Sequence, residues 1–231
     1  MKKLTALVLS LALVLTFTAC GSKEADTEAK SEGVMTYAEY DAAAVNDPVV
    51  IEAYVQDTQS WWDNQITIYA ADKEGAYFIY NCACSEEDSA KLVPGTKIKV
   101  NGFKSEWSGE IEVVDGTFEI EEGSYIAPAK DATSLLGKEE LISMQNQLVS
   151  FNGLTVESVS YKNDQPGDDI YVTLSKDGAN YDFCLEYYLN GSDEAFYNLV
   201  GGLEAGSTVD VEGFLYWYEG PNAHLTKVTV K

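Results

Sequence analysis

Gly95-Thr96-Lys97-Ile98-Lys99-Val100-Asn101-Gly102-Phe103 returns, 111 positions later, as Gly206-Ser207-Thr208-Val209-Asp210-Val211-Glu212-Gly213-Phe214. Each copy sets Ile98 and Val100, or Val209 and Val211, on one face and Lys97 and Lys99, or Asp210 and Glu212, on the other. That alternation is the period of a half-buried β-strand. In both copies a glycine precedes the phenylalanine, and a glycine inside a strand marks a bulge or a tight bend such as a barrel corner. The chain therefore states one strand-and-bend unit twice.

Working outward, a second echo appears at an offset of 100, where Val149, Phe151 and Gly153 mirror Val49, Ile51 and Ala53. In the first half, a helix is expected at Thr36 to Ala44 and a strand at Val49 to Gln56. The stretch Gln59 to Gln65 reads as a loop. Two strands, Ile66 to Ala70 and Ala76 to Asn81, follow around a turn at Ala71 to Gly75. Ser85 caps a short acidic helix start that Pro94 closes. The repeated strand comes next, then a fifth strand from Ile111 to Ile120 whose alternation slips near Asp115. The second half repeats the plan. Gly137 to Gln145 is a helical approach, and Tyr161 to Asp169 is a loop. Ile170 to Leu174 and Asn180 to Leu185 are strands, and a helix starts at Ser192-Asp193-Glu194. The repeated strand follows, and a last one runs through His224 to Lys231.

Three strands, a helix and two strands, stated twice, resemble the OB-fold, a five-stranded Greek-key barrel. The expected class is mainly β, with two tandem five-stranded OB-like barrels, each holding a short helix between strands three and four. Domain one spans 34–123, a linker 124–136 and domain two 137–231. The resemblance implies that ligands bind on the face of strands two and three, rimmed by the loops between strands one and two and strands four and five. All four tryptophans fall in these loops: Trp61 and Trp62, then Trp107, then Trp217 beside Tyr218, with Tyr161 at the matching place in the second half. These six are the candidate binding residues, and plugging of the barrel ends is the competing role for them. Asp63, Asn64, Glu106 and Asn222 flank them.

Met1-Lys2-Lys3 and the apolar run Leu4 to Leu15, too short to span a bilayer, read as a secretory signal over 1–19. Thr18-Ala19-Cys20-Gly21 resembles a bacterial lipobox, with Phe17 where leucine is usual. The resemblance to Gram-positive lipoproteins implies cleavage before Cys20 and acylation of its thiol. Residues 20–33 hold almost no large apolar group and read as a flexible tether. The expected location is the outer face of the cell membrane, reached through the lipid anchor.

Acids outnumber bases 38 to 15, every base is lysine, and the net charge is −23. Loss of Lys2 and Lys3 with the signal would take it to −25. Polyanion recognition favours clustered Lys and Arg, so nucleic acid is not expected as a partner. Cys82, Cys84 and Cys184 are an odd set beyond Cys20 and read as small buried hydrophobes, with no zinc pattern. Asn163, Asp164, Asp168 and Asp169 lack the spacing of an EF-hand. His224, the only histidine, has no identifiable nucleophile beside it. No metal or cofactor is expected.

The composite expectation is a non-catalytic, lipid-anchored binding lipoprotein whose ligand is a carbohydrate or an envelope protein. The alternatives are an interaction module without a small ligand, a single-strand nucleic-acid-binding OB protein, and a small hydrolase.

Overall fold

The computed structural model describes residues 30–231. The expected signal segment, Cys20 and most of the tether lie outside the described residues.

Five strands form the first barrel: β1 (Pro48–Thr58), β2 (Gln65–Ala71), β3 (Ala76–Ala83), β4 (Thr96–Trp107) and β5 (Glu110–Ser124). They close in the order β1-β2-β3-β5-β4, with β3 and β5 parallel and the other neighbours antiparallel. The second unit holds β7 (Leu148–Tyr161), β8 (Ile170–Lys176), β9 (Ala179–Leu185), β10 (Thr208–Phe214) and β11 (Ala223–Val230). Here β9 and β11 are the parallel pair, and β10 pairs with both β11 and β7, so the same ring of neighbours recurs. The two echoes found in the sequence occupy equivalent registers. Ile51 faces Val100 in the first barrel, and Phe151 faces Val211 in the second.

The repeated glycines sit at strand irregularities, and the reason is space. A Cβ on Gly102 would lie 2.6 Å from Val113 Cγ1 and 2.8 Å from the Val114 carbonyl oxygen, and one on Gly213 would lie 2.5 Å from the His224 carbonyl oxygen. Any side chain there would push the neighbouring strand away.

Each barrel buries its own core. Ile51, Ile68, Tyr77, Ile79, Ile98 and Val100 fill the first, and Phe151, Leu154, Ile170, Leu174, Val209 and Val211 the second. The plugs differ. In the first barrel α1 (Tyr37–Ala42), set by a capping box between Thr36 and Glu39, inserts Tyr40, whose ring meets Tyr77 edge-on at 4.9 Å. Between β3 and β4, α2 (Glu86–Ser89) is one turn long with Ser85 as its cap. In the second barrel the span between β9 and β10 holds α3 (Tyr187–Asn190), which the sequence did not suggest, and α4 (Glu194–Gly201), capped by Asp193, which buries Tyr197 and Val200.

One expected flexible span is corrected. The tether was drawn to Gly33, but Lys30 already docks on the first barrel, where its ammonium donates to the Asp72 carboxylate at 2.7 Å and the Glu52 carbonyl at 2.9 Å. Asp72 is buried and also accepts from the Gly75 N–H and the Tyr77 hydroxyl, and a carboxylate so placed gains from a cation. Within the linker, β6 (Lys130–Asp131) pairs with β7, and Ala132 enters the second core. The helical approach at 137–145 forms as a 3-10 turn over Glu139–Met144.

Candidate functional site: the cleft between the barrels

Strands β2 and β3 read as near-continuous apolar runs, the pattern of strands covered on both faces. One face points into the first barrel through Ile68, Tyr77 and Ile79. The other carries Tyr69 and Phe78, which join Leu189 and Phe214 of the second barrel in a small apolar seam. Tyr69 stacks on Phe214 at 4.6 Å, and Phe78 meets Tyr216 edge-on at 5.2 Å. The Tyr69 hydroxyl shares a 2.7 Å hydrogen bond with His224 Nδ1. Burial lowers His224 to about 3, so the imidazole is neutral at neutral pH.

A second set of contacts locks the β4–β5 ribbon of the first barrel to the second. Glu110, fully buried, accepts from the Trp217 N–H at 2.8 Å and from Gln145 Nε2 at 3.1 Å. Asn146 donates to the Ile111 carbonyl, and the Glu219 N–H donates to the Ser108 carbonyl. Burial pushes Glu110 up to about 8, against the pull of those donors, and the neighbouring Glu112 pushes it the same way.

Between seam and ribbon lies a cleft of about 780 Å³, within the size range of small-ligand pockets. From the first barrel it takes Gln59 in the loop after β1, Phe78 and Tyr80 on β3, Trp107 at the end of β4 and Glu112 on β5. From the second come Lys162 and Asp169 in the loop after β7, Tyr171 on β8, Glu186 and Tyr188 around α3, and Tyr216, Tyr218 and Asn222 in the loop after β10. The faces and rims expected for each barrel separately thus turn toward one another across a single cavity. Tyr80, Trp107, Tyr171, Tyr188 and Tyr218 are between 43% and 58% exposed on it. A smaller cavity beside it shares Gln59, Tyr80 and Tyr188 and extends the aromatic band to Trp62, which is 79% exposed.

The six candidate residues divide. Trp107 and Tyr218 come together on the cleft, with ring centroids 5.2 Å apart. Trp62 is exposed at the end of the band. Trp61, by contrast, packs against the first core and donates from its indole to the Cys84 carbonyl at 2.9 Å. Tyr161 packs on the second core beside Tyr197, and Trp217 lies against Gly109 at the ribbon contact. Trp61 and Tyr161 thus serve as half-buried packing groups, and Trp217, also half-buried, lines a separate cavity with Tyr218. The sequence reading missed Tyr80, Tyr171, Tyr188, Glu112 and Glu186. The first two had a signal, since both lie on the strand-two and strand-three faces already named.

Elsewhere the chemistry is quiet. Cys82, Cys84 and Cys184 are free and buried, and burial pushes the Cys82 thiol up to about 12. Asp168 and Asp169 pair with Lys162 at 3.2 and 3.0 Å. Among the described residues no three His, Cys, Asp or Glu side chains are grouped to hold a metal ion.

No family model matches the chain, and no curated protein does. Solved structures similar to it include a murine DNA binding protein bound with ds DNA, at 12% identity and a TM-score of 0.39, covering 80% of this chain and 96% of that one. The p204 HINb domain is similar at 12% identity and a TM-score of 0.35, covering 81% and 98%. A Replication Protein A heterotrimer bound to ssDNA gives 14% identity and 0.33, covering 88% and 52%. These findings correct the reading of the partner. The sequence set nucleic acid aside and preferred a carbohydrate or an envelope protein. Two of these structures are instead described with ds DNA or ssDNA, so that exclusion and that preference are both withdrawn. At such TM-scores the likeness carries no argument about what this chain itself binds.

Proposed function

We propose that the protein is a non-catalytic binding module that holds a ring-bearing ligand by stacking in the cleft between its barrels. The observation that carries this reading is the gathering of five half-exposed aromatic side chains, drawn from both barrels, on one cavity. Exposed aromatics gathered in one concave patch mark binding surfaces more often than solvent-facing walls. Of the polar groups beside them, Glu186 accepts from the Leu189 N–H at 2.6 Å as the cap of α3, and His224 is neutral and bonded to Tyr69. Single-stranded nucleic acid stacks its bases on such platforms and belongs among the ligands to be tried.

The test is titration of the protein with a single-stranded oligonucleotide of about 16 nucleotides and with small indole compounds, in parent, Trp107→Ala and Tyr218→Ala forms. Each truncation is expected to weaken binding by about 1–3 kcal/mol while the fold, followed by circular dichroism, stays intact. Binding indifferent to both truncations would refute the cleft.

Anchoring through an acylated Cys20 is a separate proposal supported by residues 1–21 alone. Cys20→Ala is expected to leave the chain unprocessed or free of membranes, and membrane partitioning of a cleaved Cys20→Ala chain would contradict it.

A further inference from the structure

Resting on the stacking reading, we propose that the group the cleft selects is an organic cation, a protonated or quaternary nitrogen carried on or beside a flat ring. The charges on the cavity wall are Glu112, Asp169 and Glu186 against Lys162. Lys162 is spent, its ammonium held by Asp168 and Asp169 at 3.2 and 3.0 Å. His224 adds no charge. Among the described residues Glu112 and Glu186 are therefore left without an ion-pair partner, in a cavity whose walls include the rings of Tyr80, Trp107, Tyr171, Tyr188 and Tyr218. Aromatic faces carry a negative quadrupole and attract a cation, most strongly where water is excluded. The side-chain oxygen of Asn222, also on this wall, is buried and has no hydrogen-bond partner among the described residues, one more acceptor facing a shortage of donors. The net charge of −23 places this cleft in a field that concentrates cations around the molecule.

The acids on the wall also predict how pH enters. Burial pushes Glu186 up to about 7. The Leu189 and Tyr188 N–H groups pull it down, as does Lys162, while Asp169 pushes it up. Cys184 and Tyr69, the other titratable groups beside it, are both raised by burial and stay neutral. Glu112 is likewise raised by burial and eased by Ser105. A cation bound beside these carboxyls favours their ionised forms, so affinity should rise with pH through the neutral range.

Three indole compounds of one size separate charge from stacking: tryptamine, a cation; tryptophol, neutral; and indole-3-acetate, an anion. By calorimetry on the intact chain, tryptamine is expected to bind about tenfold tighter than either of the others, the order of a cation–π contact in a sheltered site. That advantage should grow from roughly pH 6 to 8, over which the amine stays protonated. It should shrink several-fold in Glu112→Gln and in Glu186→Gln, where the amide oxygen still caps α3. If all three compounds bind equally, and Trp107→Ala abolishes them all, the cleft stacks rings but does not select charge, and the inference falls alone. Tighter binding of indole-3-acetate, or of the oligonucleotide, would overturn it in the same way. If none of the compounds binds, the stacking reading fails and the inference with it.

Discussion

Phe103 and Phe214 close the two copies of the same nine-residue unit, yet Phe103 is 44% exposed and Phe214 is 4% exposed. Both follow a glycine at a strand irregularity. Among the described residues Phe214 stacks on the ring of Tyr69 on the other barrel, and Phe103 has no ring contact of this kind. The ribbons that follow differ accordingly. In the first barrel β4 and β5 run 12 and 15 residues around a tight turn, long enough to carry Trp107, Glu110 and Glu112 to the second barrel. In the second, β10 and β11 run 7 and 8 residues, and the intervening loop receives that ribbon through Trp217 and Glu219. The duplicated unit thus specifies a strand and its bend, and the neighbouring barrel decides what its outward residues do.

The largest effect should break the symmetry of the pair. Phe214→Ala is expected to cost about 3–5 kcal/mol by denaturant unfolding, because it empties the seam beneath Tyr69. Phe103→Ala should change stability by less than about 0.5 kcal/mol. Equal losses would mean that the barrels do not meet through this seam. The glycines should behave alike where the phenylalanines do not. Gly102→Ala and Gly213→Ala each force a methyl against the adjoining strand, and each is expected to cost about 1–3 kcal/mol. A neutral result at either would show that the bend tolerates a side chain.

The ribbon contact makes a pH prediction. Glu110 has a folded value near 8, above the 4.5 of the free group. Between those values the folded state keeps a proton that the unfolded chain has released, so stability should fall as pH rises through this window and level off above it. Glu112, raised in the same direction, adds to the fall, while the Trp217 N–H, Gln145 and Asn146 limit it. Thermal unfolding of Glu110→Gln across the window should give a shallower decline than the parent, and an identical slope would assign the dependence elsewhere.

The smallest stability effect belongs to the cleft. Trp107→Ala should cost less than about 1 kcal/mol, since half the ring is already in water, whereas Trp61→Ala should cost about 2–4 kcal/mol through the first core. Reversal of that order would exchange the roles given to these two indoles.

What was legible in the sequence was whatever is written in local periodicity. The alternation in 95–103 and 206–214, the glycine before each phenylalanine and the caps at Thr36, Ser85 and the 192–194 stretch all act within a few residues, and each forms much as read. The cleft was half legible. Loop positions marked Trp107 and Tyr218, but the same mark fell on Trp61 and Tyr161, because a loop aromatic looks alike whether it turns inward or outward. Tyr80 and Tyr171 lay on the strand faces already named, but Tyr188 belongs to the site only through the way the barrels face each other, and no local pattern encodes that. Glu110 was passed over for a related reason. A carboxyl at the head of a strand reads as solvent-facing until a second barrel supplies the Trp217 N–H that holds it.

The account stands on the cleft being one site built by both barrels. Its most direct test is an amide and aromatic NMR map of the intact chain titrated with tryptamine. Shifts are expected together at Tyr80, Trp107 and Glu112 of the first barrel and at Tyr171, Glu186, Tyr188 and Tyr218 of the second, all with one dissociation constant. Shifts confined to one barrel, or two sets saturating at different concentrations, would contradict it.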